Sequence, residues 1–279
     1  MNLIIQGKDL PTPSLKLLAK LTSATEIQAI SPTAFRLMSA DASQHAEVAT
    51  FCEAQAIDFG WVPAERRITD FGLLVMDMDS TLITIECIDE IADMQGLKPQ
   101  VSAITESAMR GEIDFAESLR QRVALLAGLD ESALQQVYDA RLQLSPGSDT
   151  LLGAVKSAGI KTLLVSGGFT FFTERLKPRL GLDYTAANAL EIVDGKLTGR
   201  VMGGIVDAQA KAEWLNQVRI ELKLEQKQVI AMGDGANDLK MMAEAGISIA
   251  YRAKPVVRAQ ASYALGQVGL EGLIPLLGG

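Results

Sequence analysis

The sequence predicts an α/β protein: a doubly wound parallel sheet carrying a helical cap insertion, preceded by a small α+β N-terminal domain. Three observations carry this expectation. Apolar runs of strand length, "GLLVMD", "KTLLVS", "QVIAMGD" and "GISIAY", are separated by stretches of helical pattern. Those runs are mostly Leu, Ile and Val without strict alternation, as expected of strands covered on both faces. Several then run straight into Asp, Ser-Gly-Gly or Gly-Asp at their carboxyl ends, the edge at which open α/β sheets bind ligands.

Composition bounds the remaining choices. The chain has 279 residues, enough for one or two domains and a full core. Its net charge of -8 argues against nucleic-acid binding and favours solubility. The same charge poses a problem for a phosphate ligand, which then needs local positive charge. Cys52 and Cys87 are the only cysteines, too few and too far apart for a disulfide framework or a zinc cluster, so both are expected to be reduced and buried. "MNLIIQGKDL" lacks the pattern of a signal peptide, and no apolar run has the length of a membrane span. A cytoplasmic enzyme or binding protein acting without a membrane or nucleic acid is the expectation.

Along the chain, "LIIQG" and "TAFRLMSA" read as short strands. "TPSLKLLAKL", capped by Thr12 or Ser14, and "QHAEVATFCEAQ" read as helices. "WVPAERRITDFG" carries a proline and a charge cluster and reads as a linker, with a domain boundary near Asp70. Residues 1–70 are then the small domain and 71–279 the larger one. Helices follow several of the core strands: "TFFTERLKPRL", ended by Pro178, and "ANDLKMMAEAG", closed by Gly246. About eighty residues of mostly helical pattern separate Asp79 from the strand near Lys161, too many for a simple crossover. They read as a cap at about 84–148, including "FAESLRQRVALLAGL" with Gly128 as its stop. "EIVDGKLTG" reads as a hairpin turning on Asp-Gly.

Chemistry gathers at the strand ends. "LLVMD" delivers Asp77 with Asp79 close behind; "KTLLVSGG" delivers Ser166, Gly167 and Gly168; "VIAMGDGAND" delivers Asp234, Asn237 and Asp238. Lys211 lies early in the helix "QAKAEWLNQV". Taken singly, each has an ordinary structural explanation as a turn, a cap or a solvated lysine. Together they supply the parts for phosphoryl transfer. A carboxylate can attack phosphorus and form an acyl phosphate. Asp77 and Asp234 could hold Mg2+ through hard oxygens, while Lys211, Ser166 and glycine N–H groups take the remaining phosphoryl oxygens. Asp79 can protonate the leaving alkoxide and then deprotonate water.

These residues resemble, as a set, the motifs of the haloacid dehalogenase-like phosphatase superfamily: "DMDST", "SGG", the isolated lysine and "GDGAND". The resemblance covers residues 71–279 and implies the Rossmann-like core of that superfamily. It implies Asp77 as nucleophile, Asp79 as general acid and base, and Ser166 and Lys211 on the phosphate. Asp77, Asp234 and the backbone carbonyl of Asp79 would hold Mg2+, with Asp238 supporting and Asn237 near the phosphoryl group. Asp79 lies two residues beyond the nucleophile, where phosphatases of the superfamily differ from dehalogenases.

The cap narrows the substrate. Glu86 in "TLITIECIDEIA", and Met109, Phe115 and Arg122 in "AMRGEIDFAESLRQRV", resemble the phosphoserine phosphatase family. That resemblance implies Glu86 on the substrate ammonium, Arg122 on its carboxylate, Met109 and Phe115 closing over the site, and the backbone at Gly167 assisting. It also implies hydrolysis of O-phospho-L-serine through an aspartyl phosphate, the last step of serine biosynthesis. The charges agree independently: a zwitterionic amino-acid head suits one acidic and one bidentate basic group. Another phosphorylated metabolite, a phosphotransferase, or a receiver-like domain that holds its phosphoryl group remain alternatives on the same scaffold.

Elsewhere, His45 reads as a surface residue, Trp61 and Trp214 as packing residues, and Met241 and Met242 as core filler behind Asp238. The N-terminal part resembles small regulatory ACT-type domains. A packing or dimerisation module, with a homodimer as the assembly, is the other expectation.

Overall fold

A computed structural model describes all 279 residues. Strands β1 (Asn2–Gln6), β2 (Glu26–Ser31), β3 (Ala34–Met38) and β4 (Asp58–Val62) form one sheet in the order β2-β3-β1-β4. Helices α1 (Thr12–Leu21) and α2 (His45–Ala54) complete a β-α-β-β-α-β unit, the arrangement called split βαβ. Its ladders β1–β3, β1–β4 and β2–β3 are antiparallel.

The second sheet has seven strands: β5 (Leu73–Met76), β6 (Lys161–Phe169), β7 (Tyr184–Val193), β8 (Lys196–Met202), β9 (Val229–Gly233), β10 (Ile247–Tyr251) and β11 (Tyr263–Leu265). Their order is β11-β10-β9-β5-β6-β7-β8, with only β8 antiparallel to its neighbour. The chain enters at the centre of this sheet. From β5 it builds β6 on one side, and later crosses to build β9 on the other. That reversal opens a crevice beyond the carboxyl ends of β5, β6 and β9. The ladders align Met76 with Leu164 and Met232, so the residues that follow these three emerge at one level.

The remaining helices are α3 (Cys87–Met94), α4 (Lys98–Met109), α5 (Phe115–Ala124), α6 (Ser132–Ala140), α7 (Ser148–Ser157), α8 (Thr170–Leu180), α9 (Ala208–Glu221), α10 (Leu239–Ala243), α11 (Pro255–Arg258) and α12 (Leu273–Leu276). Successive residues of a strand face opposite sides. In β5, Leu74 and Met76 accordingly enter one buried cluster and Leu73 and Val75 the other. This two-sided burial explains the unbroken apolar run. Helices α3–α6 occupy the long connection after β5, and segment 128–131 is tied to the β7–β8 hairpin by Gly128 N–H to Leu197 O and Leu197 N–H to Leu129 O, both 2.8 Å. The hairpin turns on Asp194 and Gly195, both with positive φ, as a two-residue turn requires. No helix is long and apolar enough to cross a membrane.

Several local expectations differ from the structure. The residue at the cap position of α1 is Pro11 and no side chain caps the helix, so neither Thr12 nor Ser14 has that role. Pro178 lies inside α8 rather than ending it. The helix continues to Leu180 and stops at Gly181, whose φ of 66° allows a left-handed cap. Helix α10 closes at Ala243, three residues before Gly246. Gly246 is instead a close-approach site, where a Cβ would lie 2.5 Å from the Lys227 backbone. Strands β2 and β4 carry no clear apolar alternation and were not expected. Trp61 and Val62 end β4, so the segment read as a linker begins inside a strand.

The small sheet is bound to the larger unit. Leu3 and Ile5 of β1 face α1 and α2, while Ile4 between them enters the main core. The buried Asp58 carboxylate accepts hydrogen bonds from three consecutive backbone groups, Gly266, Gln267 and Val268 N–H, at 2.7–3.2 Å. Asp58→Ala would leave these donors unpaired, and should lower unfolding stability by about 2–4 kcal/mol. Urea denaturation measures this; a midpoint equal to that of the parent would contradict the assignment.

Candidate active site

Residues after β5 begin the site. Asp77 caps the following turn, its Oδ1 accepting from Met78 N–H at 2.7 Å. The chain then passes through Ser80 with φ 54°, an uncommon conformation for a non-glycine residue. This reversal brings Ser80 Oγ within 2.6 Å of Glu86 Oε1 and lets Cys87 N–H donate to Asp79 Oδ1 at 3.1 Å. Asp79 and Glu86 thus face one cavity although one lies in the core turn and the other at the start of the cap.

The centre of the site is a buried ion-pair cluster. Lys211 Nζ lies 2.8 Å from Asp77 Oδ1 and 2.7 Å from Asp238 Oδ1, and its side chain is 1% exposed. Asp207 caps α9 through Gln209 and Ala210 N–H, both 2.9 Å, which fixes the turn that presents Lys211. The second Asp238 oxygen accepts from Gly235 N–H at 3.1 Å. Thr81 Oγ1 lies 3.4 Å from Asp234 Oδ1. Ligand atoms of Asp77, Asp234 and Asp238 lie within 4.8 Å of one another.

One ammonium faces three carboxylates, and the charge does not balance. Burial pushes Asp77 well above the usual carboxylate range; the Asp238 charge adds to this and Lys211 opposes it. Burial and then Asp238 raise Asp234 to about 6. Burial alone would weaken the Lys211 ammonium, but Asp77 and Asp238 together hold its pKa above the usual lysine value. The excess negative charge and hard oxygen donors fit a divalent cation. Burial, and next the Glu86 charge, push Asp79 up to about 7.

Above the cluster lies a cavity of ≈ 540 Å³. Of the residues expected from sequence, Asp77, Asp79, Asp234, Glu86, Met109, Phe115, Arg122, Ser166, Gly167 and Asn237 all line it, whereas Lys211 and Asp238 lie beneath. Arg122 reaches it from α5, its guanidinium pKa drawn down by burial and supported by the charges of Asp89 and Glu86. Phe115 packs against the glycine loop: a Cβ on Gly167 would lie 2.9 Å from its ring. Met109 stands at the rim and is 71% exposed. Gly168 is required by a close approach, since a Cβ there would sit 2.6 Å from Asp79 Oδ2. A larger cavity of ≈ 900 Å³ lies between α2–β4 and α11–β11 and contains none of the cluster.

Sequence reasoning missed Ser80, Thr81, Asp89 and Lys254, which approach these groups only in the fold. Asp89, an acidic residue three positions after Glu86, offered the one local signal.

The haloacid dehalogenase-like hydrolase model matches residues 71–246. A Polaromonas phosphoserine phosphatase is 55% identical over 216 residues, 76% of this chain and 92% of that protein. The chain belongs to the haloacid dehalogenase-like hydrolase family. A model of a domain of unknown function matches residues 3–48. An unliganded probable phosphoserine phosphatase from Vibrio cholerae superposes with a TM-score of 0.87 at 40% identity, covering 99% of this chain and 86% of that one. A substrate-bound phosphoserine phosphatase gives 0.69 at 36% identity, with coverage of 74% and 97%.

In a family member with this cluster, cation binding competes with protons. Asp234 becomes protonated below about pH 6 in the metal-free protein, so a divalent cation must displace that proton to bind. Affinity for a divalent cation should therefore fall between pH 7 and pH 5, by up to roughly tenfold per pH unit for one displaced proton. Calorimetric titration at the two pH values measures it; equal affinities would contradict the raised Asp234.

Proposed function

We propose that this protein is a Mg2+-dependent phosphatase that converts O-phospho-L-serine and water to L-serine and inorganic phosphate. The observation that carries the reading is the juxtaposition of the Asp77–Lys211–Asp238–Asp234 cluster with a cavity bearing both Glu86 and Arg122. Relatives named phosphoserine phosphatase, one with substrate bound in its structure, support the same substrate.

Met78 N–H and Lys211 Nζ both fall on Asp77 Oδ1, so Oδ2 is the oxygen to attack phosphorus. As the new bond forms, the bond from phosphorus to the serine oxygen breaks, and Asp79 gives its proton to that oxygen. A pKa raised to about 7 keeps a useful fraction of Asp79 protonated near neutrality. Asp79 then takes a proton from water as the water oxygen attacks the aspartyl phosphate, freeing Asp77 and phosphate. Mg2+, held by Asp77, Asp234 and the Asp79 carbonyl with Asp238 in support, would supply Lewis-acid neutralisation of the phosphoryl charge. Ser166, Lys211 and Asn237 bind the phosphoryl oxygens, with the Gly167 backbone assisting. Glu86 answers the substrate ammonium and Arg122 its carboxylate, while Met109 and Phe115 close the apolar side.

Residues 1–70 are proposed as a small ACT-like α+β domain, supported by the β-α-β-β-α-β order, and residues 71–279 as the phosphatase domain with its cap at about 84–148.

The test is phosphate release across a panel of phosphorylated metabolites with and without Mg2+; phosphoserine should lead and chelation should stop turnover. Asp77→Asn should abolish turnover and any covalent phosphoprotein, and an active variant would remove Asp77 from the nucleophile's role. Asp79→Asn should slow turnover by roughly 10²–10⁴-fold; a parental rate would move proton transfer to another group. Arg122→Ala should raise KM for phosphoserine far more than for a phosphate ester without a carboxylate. Equal rises for the two esters would argue against the carboxylate contact.

A further inference from the structure

Asn188 was not among the residues singled out from sequence, and it joins two of the phosphate-handling elements. It lies on β7 and is 1% exposed. Its Nδ2 donates to Gly167 O at 2.8 Å, and its Oδ1 accepts from Val206 N–H at 2.8 Å. The two backbone partners are of opposite kind, so the orientation of the carboxamide is determined.

The bond to Gly167 lies where the sheet ladder fails. The β6–β7 pairing runs to Val165 opposite Ala186 and resumes only at Phe169 opposite Asn188. Ser166, Gly167 and Gly168 therefore bulge out of the ladder between those pairs, and the Asn188 side chain takes the place of a strand partner. In a planar trans peptide the carbonyl and the following N–H point in opposite directions. Holding the Gly167 carbonyl on Asn188 thus aims the Gly168 N–H away from β7, where it meets Ser166 Oγ at 2.9 Å. The second bond fixes Val206, directly before the Asp207 cap of the helix that carries Lys211.

We propose that Asn188 is a positioning residue: it sets the plane of the Gly167–Gly168 peptide and its spacing from α9, so that the Gly168 N–H holds the Ser166 hydroxyl where it and the Lys211 ammonium meet one phosphoryl group. This deepens the phosphatase reading and rests on its assignment of the phosphate site. Asn188 itself touches no substrate.

Asn188→Asp tests it. The carboxylate retains its size and can still accept from Val206 N–H, but it cannot donate to the Gly167 carbonyl and repels it. With Mg2+ present, the dissociation constant for inorganic phosphate, measured by calorimetry, should rise and kcat should fall, each by about 10–100-fold. Asn188→Ala, which removes both bonds, should show at least the same losses and serves if the aspartate variant does not fold. Asp58→Ala, remote from the site, controls for lost stability and should bind phosphate as the parent does. The proposal is overturned if the Asn188 variants bind phosphate as tightly as the parent, or if Asp58→Ala weakens binding equally. A parent that binds phosphate yet releases none from phosphoserine would sink the substrate assignment and leave this test standing. One that binds no phosphate overturns both.

Discussion

The buried contact of Lys211 with Asp77 and Asp238 governs the site. A lysine at 1% exposure carries a large desolvation penalty, which only closely paired carboxylates offset. Those carboxylates are in turn held by backbone donors, Met78 N–H on Asp77 and Gly235 N–H on Asp238. The arrangement still leaves more negative than positive charge, because Asp234 lies within the same 4.8 Å group. Burial first, and the Asp238 charge next, accordingly raise both Asp77 and Asp234. The same surplus suits a divalent cation, which would offset the net charge of -8 that a phosphate ester meets.

That cluster exists because of where β5 lies. A strand at the middle of the sheet, flanked by β6 and β9 in register, places three carboxyl-end loops side by side. Lys211 comes from outside the strand set, on a helix whose first turn is secured by Asp207. The cap contributes the second half of the cavity. The left-handed turn at Ser80 redirects the chain from core to cap within a few residues, so the acid–base candidate Asp79 and the ammonium-binding candidate Glu86 share one space. A backbone conformation of this kind costs roughly 1–2 kcal/mol and persists where surrounding contacts impose it.

Much of this was legible in the chain because its signals are local. Strands buried on both faces produce unbroken runs of Leu, Ile and Val, and β5, β6, β9 and β10 were found that way. The Asp-Gly hairpin announced itself through the backbone its turn demands. Elements lacking such signals were missed: β2 is an exposed edge strand, and β4 contains Asp58 and Gly60 because each meets the C-terminal segment. Pro178 misled in the opposite direction, since a proline in a final helical turn can be tolerated when a left-handed glycine ends the helix shortly after.

By itself the sequence determined which reactive groups the protein has and at which strand ends they emerge, because side-chain periodicity and turn chemistry depend on near neighbours. It therefore named Asp77, Asp79, Ser166 and Asp234 on the cavity wall but not Ser80, Asp89 or Lys254. Tertiary structure alone decided how they are coupled. Lys211 joins Asp77 across 134 residues of chain, Asn188 replaces a missing ladder partner beside Gly167, and Asp58 anchors one sheet to the end of the other. These contacts follow from how distant segments pack, and desolvation acts on charges only once that packing has removed water from them.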